Sequence, residues 1–309
     1  MIAVVKPGLL TTVQDAGRPG YRASGMPVAG AMDRLALAAA NLLAGNGPGA
    51  AALESTVVGG TFRFEVEAIV ALAGAELPAS LDGQPISTGT PFLAPAGATL
   101  TLGVATRGVR TYLAVRGGID VPVLLGSRST YVRAGFGGHE GRALRAGDRL
   151  PIGAVRGAAS PTAALLPAEL PALAAPGSTV TLRVIPGPQE DLFHPEGLET
   201  LHGATWKVTT QNDRMGYRLD GPPVRLRGAA DIVTDAVVPG AVQVSGDGKP
   251  MVLMVDCQTT GGYAKPFAVI GPDLRRLAQA RAGDGVRFLR CTQEEAVAAL
   301  EEERSWRST

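Results

Sequence analysis

The feature that most constrains how this chain can fold is that it repeats itself, weakly but in order. Leu81-Asp82-Gly83-Gln84-Pro85-Ile86 returns as Leu219-Asp220-Gly221-Pro222-Pro223-Val224 at an offset of 138. Arg145-Ala146-Gly147-Asp148 returns as Arg281-Ala282-Gly283-Asp284 at an offset of 136. Leu113-Ala114-Val115 ahead of Gly117-Gly118 is echoed by Leu253-Met254-Val255 ahead of Gly261-Gly262. Pro7-Gly8 finds Pro186-Gly187, where the offset widens to 179. Asp-Gly and Ala-Gly-Asp turns are common in β proteins, but chance matches rarely keep their order. The pattern therefore predicts two similar β units, each too small to bury much surface alone.

The local text agrees. Glycine (41) and proline (23) are spread along the chain, which suits many short strands joined by tight turns rather than a helical bundle. Strands are expected at Met1–Val5 and Leu9–Val13, then at Thr61–Val66, Ala68–Ala73, Thr99–Val104 and Arg110–Val115. Asp82-Gly83 signals a hairpin. One strong helical pattern interrupts the first half, Met32–Leu43, with Asp33 expected in its first turn and Gly45-Asn46 as its stop. From Gly153 to Gly177 alanine, proline and leucine take over, and a connector is expected there. Strand text resumes at Thr179–Ile185, and a closing helix is expected over Thr292–Arg304 with Thr292 as its cap. The expected organisation is a first unit over 1–153 with a helical insertion near 31–45, a connector over 154–178, a second unit over 179–291, and a C-terminal helix and tail over 292–309.

Several function classes are disfavoured. Charge is balanced, 29 basic against 28 acidic residues, so neither nucleic acid nor an anionic membrane is an expected partner. No signal peptide and no apolar run of about 20 residues is visible, and cytoplasmic localisation is expected. Cys257 and Cys291 can pair in principle, but so cysteine-poor a chain reads as carrying free thiols. His139, His194 and His202 lack metal-site spacing, and no metal is expected.

Four polar, glycine-rich stretches end or interrupt apolar runs. They are Gln14–Tyr21 with Gly25-Met26-Pro27, Arg116–Asp120 continuing to Gly126–Thr130, Asp213–Arg218, and Asp256–Tyr263. Three of them set arginine beside glycine. A guanidinium next to exposed backbone N–H groups can cradle a carboxylate or phosphate; the competing reading for any single arginine is an internal ion pair at a barrel rim. The last stretch follows the apolar run Met251–Val255 and offers neutral amide and hydroxyl groups over paired glycines, which let a ligand approach the main chain. Gly261-Gly262 is expected to be the counterpart of Gly117-Gly118, and Gln258, Thr259 and Thr260 are expected to line a cleft with Arg214 and Tyr217. No Ser-His-Asp order, Cys-His pair or phosphate loop ending in Lys-Ser/Thr is present. Asp148 and Asp284 read as structural turn residues, and Cys257 as packing.

These residues resemble a known family. Pro7–Arg18, Gly117–Pro122 with Leu125–Thr130, Asp213–Leu219 and Gln258–Tyr263 look like the signature runs of the 5-oxoprolinase C component. That group is also called biotin-dependent carboxyltransferase or allophanate hydrolase subunit 2, and it includes the antagonist of the kinase inhibitor KipI. The resemblance runs from about residue 2 to residue 290. It implies a mainly β fold of two tandem cyclophilin-like β-barrel units with a few short helices. It also implies partners, the KipI-like B component and the A component of 5-oxoprolinase, and ATP, with Mg2+ where the complex uses it.

The implied reaction opens the lactam of 5-oxo-L-proline to L-glutamate with ATP hydrolysis. An unstrained lactam is a poor electrophile, and phosphorylating its oxygen improves it. The substrate or ATP-binding candidates carried over are Gln14, Arg18, Arg116, Ser127, Arg128, Ser129, Arg214, Tyr217, Gln258, Thr259, Thr260, Gly261 and Gly262; no catalytic residue is assigned. Two departures, Gln211-Asn212 and Ala264-Lys265-Pro266, touch loops near the expected site and leave the substrate open. Two alternatives accompany this reading. One is a carboxyltransferase acting on urea or allophanate-type amides, with biotin visiting on another protein since no Met-Lys-Met motif is present. The other is a regulator that binds a KipI-like kinase inhibitor.

Overall fold

The computed structural model describes residues 1–155 and 173–308, so most of the expected connector lies outside the described residues. The chain forms two compact units: Met1–Arg18 with Ala29–Leu173, and Pro19–Val28 with Ala174–Ser305. The division near 174 falls inside the expected connector. Nothing in the sequence signals, however, that the ten residues Pro19–Val28 group with the second unit.

The first unit is built from two sheets. One contains β1 (Ile2–Lys6), β4 (Thr61–Phe64), β6 (Ala79–Leu81), β7 (Gln84–Ile86), β9 (Thr99–Leu102) and β11 (Arg149–Leu150), ordered β11-β1-β4-β9-β6-β7. The other contains β2 (Leu10–Gln14), β3 (Ala52–Thr56), β5 (Ala68–Glu76), β8 (Phe92–Ala94) and β10 (Arg107–Val115), ordered β2-β3-β10-β5-β8. Ile2, Val4, Phe62, Phe64, Leu100 and Leu150 of the first sheet meet Val13, Leu53, Val70, Leu72, Leu113 and Val115 of the second in one core.

Strand alternation sends Ala52, Ala71, Ala73, Tyr112 and Ala114 to the opposite face, against Ala36, Leu37, Ala40 and Leu43 of helix α1 (Arg34–Leu43). Alanine on both surfaces allows close approach of helix and sheet. Asp33 is the N-cap of α1 rather than a first-turn residue, accepting from Ala36 N at 3.0 Å. The helix start is pinned from below: Asp33 N donates to Tyr112 Oη at 2.8 Å, and Tyr112 Oη donates to Glu54 Oε2 at 2.6 Å. Burial pushes the Tyr112 phenol well above its ordinary value, so it remains a donor.

The second unit closes on itself. Its barrel runs β12 (Thr179–Pro186), β19 (Phe267–Val269), β16 (Ala241–Val244), β17 (Pro250–Leu253), β14 (Gly216–Asp220), β13 (Trp206–Asn212) and β20 (Gly285–Arg290), with β20 pairing parallel to β12. Two further strands, β15 (Asp231–Ala236) and β18 (Thr260–Tyr263), form a separate two-stranded ribbon. Helices α2 (Pro195–Gly203), α3 (Leu274–Ala278) and α4 (Gln293–Ser308) complete it; the first two are short and carry no strong periodic signal in the sequence. The fold is thus mainly β, in two units with a few short helices. Among the described residues no helix is long and apolar enough to cross a membrane.

The repeat is real in one echo and misleading in others. Arg145–Asp148 and Arg281–Asp284 are the same turn. Each aspartate Oδ2 accepts from the arginine N at 2.7 Å, and each glycine has φ of +93°. Gly147 N and Gly283 N donate at 2.8 Å to Val4 O and Val208 O. That equates β1 with β13, so the Pro7-Gly8 and Pro186-Gly187 echo, which would equate β1 with β12, fails.

The Leu81 and Leu219 echo fails too. Leu219 lies opposite Val208 as Phe62 lies opposite Val4, whereas Leu81 pairs with Gln84 and Leu100. Asp82 and Gly83 have φ of +49° and +81°, the tight turn of the β6–β7 hairpin, and Asp220-Gly221 does not adopt it. The glycine pairs differ likewise. Gly117 and Gly118 are left-handed turn residues, while Gly261 and Gly262 are extended residues of β18.

Candidate functional site

In the first unit, Gln14, Arg18, Ser127, Arg128 and Ser129 come together around a residue the sequence reading left out, Asp15. Its carboxylate accepts from Ser127 Oγ at 2.6 Å, Arg128 N at 2.6 Å and Gly17 N at 2.8 Å, and also from Ser129 Oγ. Ser129 Oγ accepts from Asp15 N, and Ser127 Oγ accepts from Ser129 N at 3.0 Å. Both serines are buried, and their hydroxyl protons go to Asp15. Expected as substrate- or ATP-binding candidates, they instead tie the 127–130 turn to the loop after β2.

Arg18 is wholly buried, its guanidinium 5.2 Å from the Phe136 ring centroid and bonded to Ser129 O. Gln14 is buried as well, donating from Nε2 to Thr12 Oγ1 and Thr130 O. Arg128 reaches the surface and pairs with Asp120 at 2.6 Å. Arg116 lies at the end of β10, its amide bonded to Ile69 O. Arg18 and Arg128 follow the internal-contact reading more than the anion-binding one.

The second unit holds a different arrangement. Arg214 and Asp256 make a buried bidentate pair at 2.8 and 3.0 Å, and Asp256 N donates to Arg214 O at 2.9 Å. The pair fixes the turn that leads from β17 into Gln258. Tyr217, expected at the cleft, is wholly buried in the barrel wall on β14, because strand alternation turns it inward. Cys257 is a buried free thiol whose pKa burial pushes up, consistent with packing.

Arg22 Nη2 donates to the main-chain oxygens of Val237 and, at 3.1 Å, Gln258. Val237 N donates to Thr259 O at 3.1 Å. Arg22 thus clasps the root of the ribbon, where the chain leaves β15 and enters β18. The ribbon presents Thr260 to solvent and leaves Gln258, Thr259, Gly261 and Gly262 half-buried.

Beside it stands Lys265. The side chain is only 4 % exposed, yet Nζ meets the carboxylate of Asp235, 48 % exposed, at 3.0 Å. Gln189 adds a bond to the same oxygen at 3.3 Å. The Lys265 ammonium, aided by Ala236 N and Gln189, holds the Asp235 carboxyl below its ordinary value. Under Gly261 lies Gln243, 1 % exposed, whose Nε2 has no hydrogen-bond partner among the described residues. An ammonium on a buried stem, a half-exposed carboxylate, an unspent amide and open main chain make this a region of the second unit with capacity for a ligand. Among the described residues no group of three or more His, Cys, Asp or Glu is placed to hold a metal ion.

Comparison with known proteins places the chain. The family model for the carboxyltransferase domain, subdomain A and B, matches residues 24–290. The chain belongs to this family. It is 40% identical to the C component of 5-oxoprolinase from Escherichia coli strain K12, with 99% of this chain and 96% of that protein aligned. The protein of the same name in Haemophilus influenzae is 35% identical, over 96% of this chain and 93% of that one. The crystal structure of the Kluyveromyces lactis urea carboxylase superposes with a TM-score of 0.94 and 31% identity, covering 99% of this chain but 29% of that one. Carboxyltransferase family members thus occur both as a separate polypeptide and as part of a much longer chain.

Against this family background, the sequence reading missed Asp15, Arg22, Asp235, Gln243 and Asp256, and took Lys265 only as part of a departing loop near the expected site. Asp15 and Asp256 stand inside stretches it had singled out, so the signal was available. Arg22, Asp235 and Gln243 lie outside them: Asp235 reaches β18 through the pairing of β15 with β18, Gln243 through the packing of β16, and Arg22 through its side-chain bonds to Val237 O and Gln258 O.

Proposed function

We propose that this chain is the C component of an ATP-dependent 5-oxoprolinase, a hydrolase complex that converts 5-oxo-L-proline to L-glutamate. The observation that carries the reading is end-to-end similarity: the 5-oxoprolinase C components of two bacteria align over nearly their whole length, at 96% and 93%. The urea enzymes correspond to this chain over only a fraction of theirs. The A component and a KipI-like B component are the partners. ATP and Mg2+ enter through the complex, because neither a Lys-Ser/Thr phosphate loop in the sequence nor a carboxylate cluster among the described residues fits them here.

In this reading the Gln258–Tyr263 stretch and the Lys265–Asp235 pair form this chain's share of the substrate site. Lys265 is the cation for the carboxylate of 5-oxoproline. Asp235, half in water, is a partner that a substrate carboxylate can displace at modest cost. Arg214 and Asp256 hold the turn, and Arg22 holds the root of the ribbon. Neutral hydroxyl and amide groups suit an uncharged lactam.

The test is reconstitution with the A and B components. Glutamate should form from 5-oxoproline and ATP. No product, while an established homologous complex works in the same assay, removes the proposal.

A second reading has one specific observation behind it, the TM-score of 0.94 to a urea carboxylase. There the chain would accept a carboxyl group from a biotin carrier for transfer to urea or a similar amide. Carboxyl transfer to urea from an added carboxybiotin carrier, with no glutamate from 5-oxoproline, would select it.

A further inference from the structure

We propose that the bare face of β18 at Gly262 is the contact surface for the planar amide of the substrate, so that the lactam lies on the Gly262 main chain; this rests on the oxoprolinase reading above. The argument starts from what glycine is for. A glycine inside a strand weakens it and needs a reason: a backbone angle, a tight neighbour within the chain, or an approach from outside.

Six glycines lie inside strands among the described residues. Gly74 and Gly108 have φ of +104° and +71°. A Cβ on Gly261 would stand 2.5 Å from Gln243 Nε2, and one on Gly285 would collide with Thr179 Oγ1. A Cβ on Gly216 would press on Val252 O at 3.2 Å and Met251 at 3.3 Å. Gly262 has none of these reasons. Its backbone is extended, and a Cβ there would meet only Ile232 O at 3.6 Å and Thr234 Oγ1 at 3.9 Å, ordinary contact distances. Nothing among the described residues requires glycine at 262.

The surroundings name the ligand chemistry. The carbonyl of Ile232 and the hydroxyl of Thr234 border the vacant position. Thr260, two residues back along β18, shares its face and is exposed. The ribbon is bulged opposite Gly262, between Asp231 and Asp235, which opens that face. An acceptor carbonyl and two hydroxyls around a bare Cα fit a flat group with an N–H and a C=O in one plane. That group is an amide, and in a cyclic substrate a lactam. The Lys265 ammonium beside the ribbon root leaves the substrate's carboxylate its own partner. The two glycines thus divide the work: Gly261 makes room for Gln243, and Gly262 for the substrate.

The experiment is Gly262→Ala in the reconstituted three-component complex. The expected result is an unchanged or raised Tm for the chain and unchanged assembly. KM for 5-oxoproline should rise at least tenfold, with KM for ATP unchanged. An unchanged KM for 5-oxoproline overturns the proposal while leaving the oxoprolinase reading intact. A fall in Tm, or lost assembly, also overturns it, since glycine would then serve the fold or an assembly contact. If the wild-type complex makes no glutamate, the functional reading itself has failed. The surface is then tested with 2-pyrrolidinone by amide NMR on the full chain. Shifts at Thr234, Thr260 and Gly262 that vanish in Gly262→Ala uphold a lactam surface, and their absence in the wild type overturns it.

Discussion

Asp15 in the first unit and Asp235 in the second each gather several partners, and the partners differ in kind. Asp15 is buried and takes two hydroxyls and two main-chain amides, all neutral and all belonging to segments it holds together. Asp235 is half in water and takes a lysine ammonium, a glutamine amide and its neighbour's N–H. A buried carboxylate with neutral donors fixes a loop, because no donor can leave without exposing an unpaired group. A half-exposed carboxylate on a buried ammonium can exchange, because water replaces it readily. The Asp15 knot therefore spends its hydroxyls on structure, whereas the Asp235–Lys265 pair is built so that its carboxylate can be exchanged.

The largest effect expected from this contrast is at Asp15. Asp15→Ala strands two hydroxyls and two amides in a buried knot and should cost about 3–5 kcal/mol, read as a shift in the urea midpoint. Ser127→Ala removes one bond and should cost about 1 kcal/mol. A loss under about 1 kcal/mol in Asp15→Ala would mean that the knot is not what secures the loop.

Arg214→Ala should come next, at about 3 kcal/mol, because it leaves the Asp256 carboxylate buried without its fork. The double variant Arg214→Met with Asp256→Leu should recover most of that stability. Activity in the complex should not return with it, since the turn before Gln258 loses its brace. Activity returning in full would make the pair a packing element unrelated to the site.

Much of this was legible in the sequence, and the failures have a common cause. Glycine-punctuated alternation gave the β character, and Met32–Leu43 gave α1 to within two residues. Arg145–Asp148 and Arg281–Asp284 gave a true repeat, because that turn needs aspartate and glycine at fixed places. Leu81-Asp82-Gly83 and Leu219-Asp220-Gly221 look as similar on paper, yet only one is a hairpin turn. Letters report a turn's needs only when the backbone has no other way to meet them. The candidate site was half legible. Gln258–Gly262 was visible as polar text after a strand, but Asp235 and Gln243 become neighbours of that stretch only through the pairing of β15 with β18 and the packing of β16. Tyr217 was misplaced because a face of a strand was assigned from a motif and not from alternation.

Lys265→Met tests the exchangeable side of the contrast. The chain should remain folded, KM for 5-oxoproline in the complex should rise roughly ten- to hundredfold, about 1.4–2.7 kcal/mol of binding, and the Asp235 carboxyl should titrate higher, toward its ordinary 3.8, when followed by NMR. If the titration moves while KM does not, the pair is a surface contact only.

The smallest effect separates two aspartates that occupy the same turn. Asp148 has a bidentate partner beyond the turn, Arg142, at 2.8 and 2.9 Å, and that guanidinium lowers its carboxyl to about 2 from an ordinary 3.8. Asp284 instead receives Gly177 N at 2.7 Å, a neutral donor. A depressed native pKa means that the carboxylate form binds better in the folded state. Its contribution is present above about pH 4 and is lost as pH falls through about 2. At full strength it is worth about 1–2 kcal/mol after allowance for solvent screening. Arg142→Met should remove that share of stability at pH 7 and flatten the loss between pH 4 and pH 2, read from urea midpoints at each pH. An unchanged acid limb in Arg142→Met would place the acid sensitivity in another carboxylate, and the two turns would then be equal in energy as well as in shape.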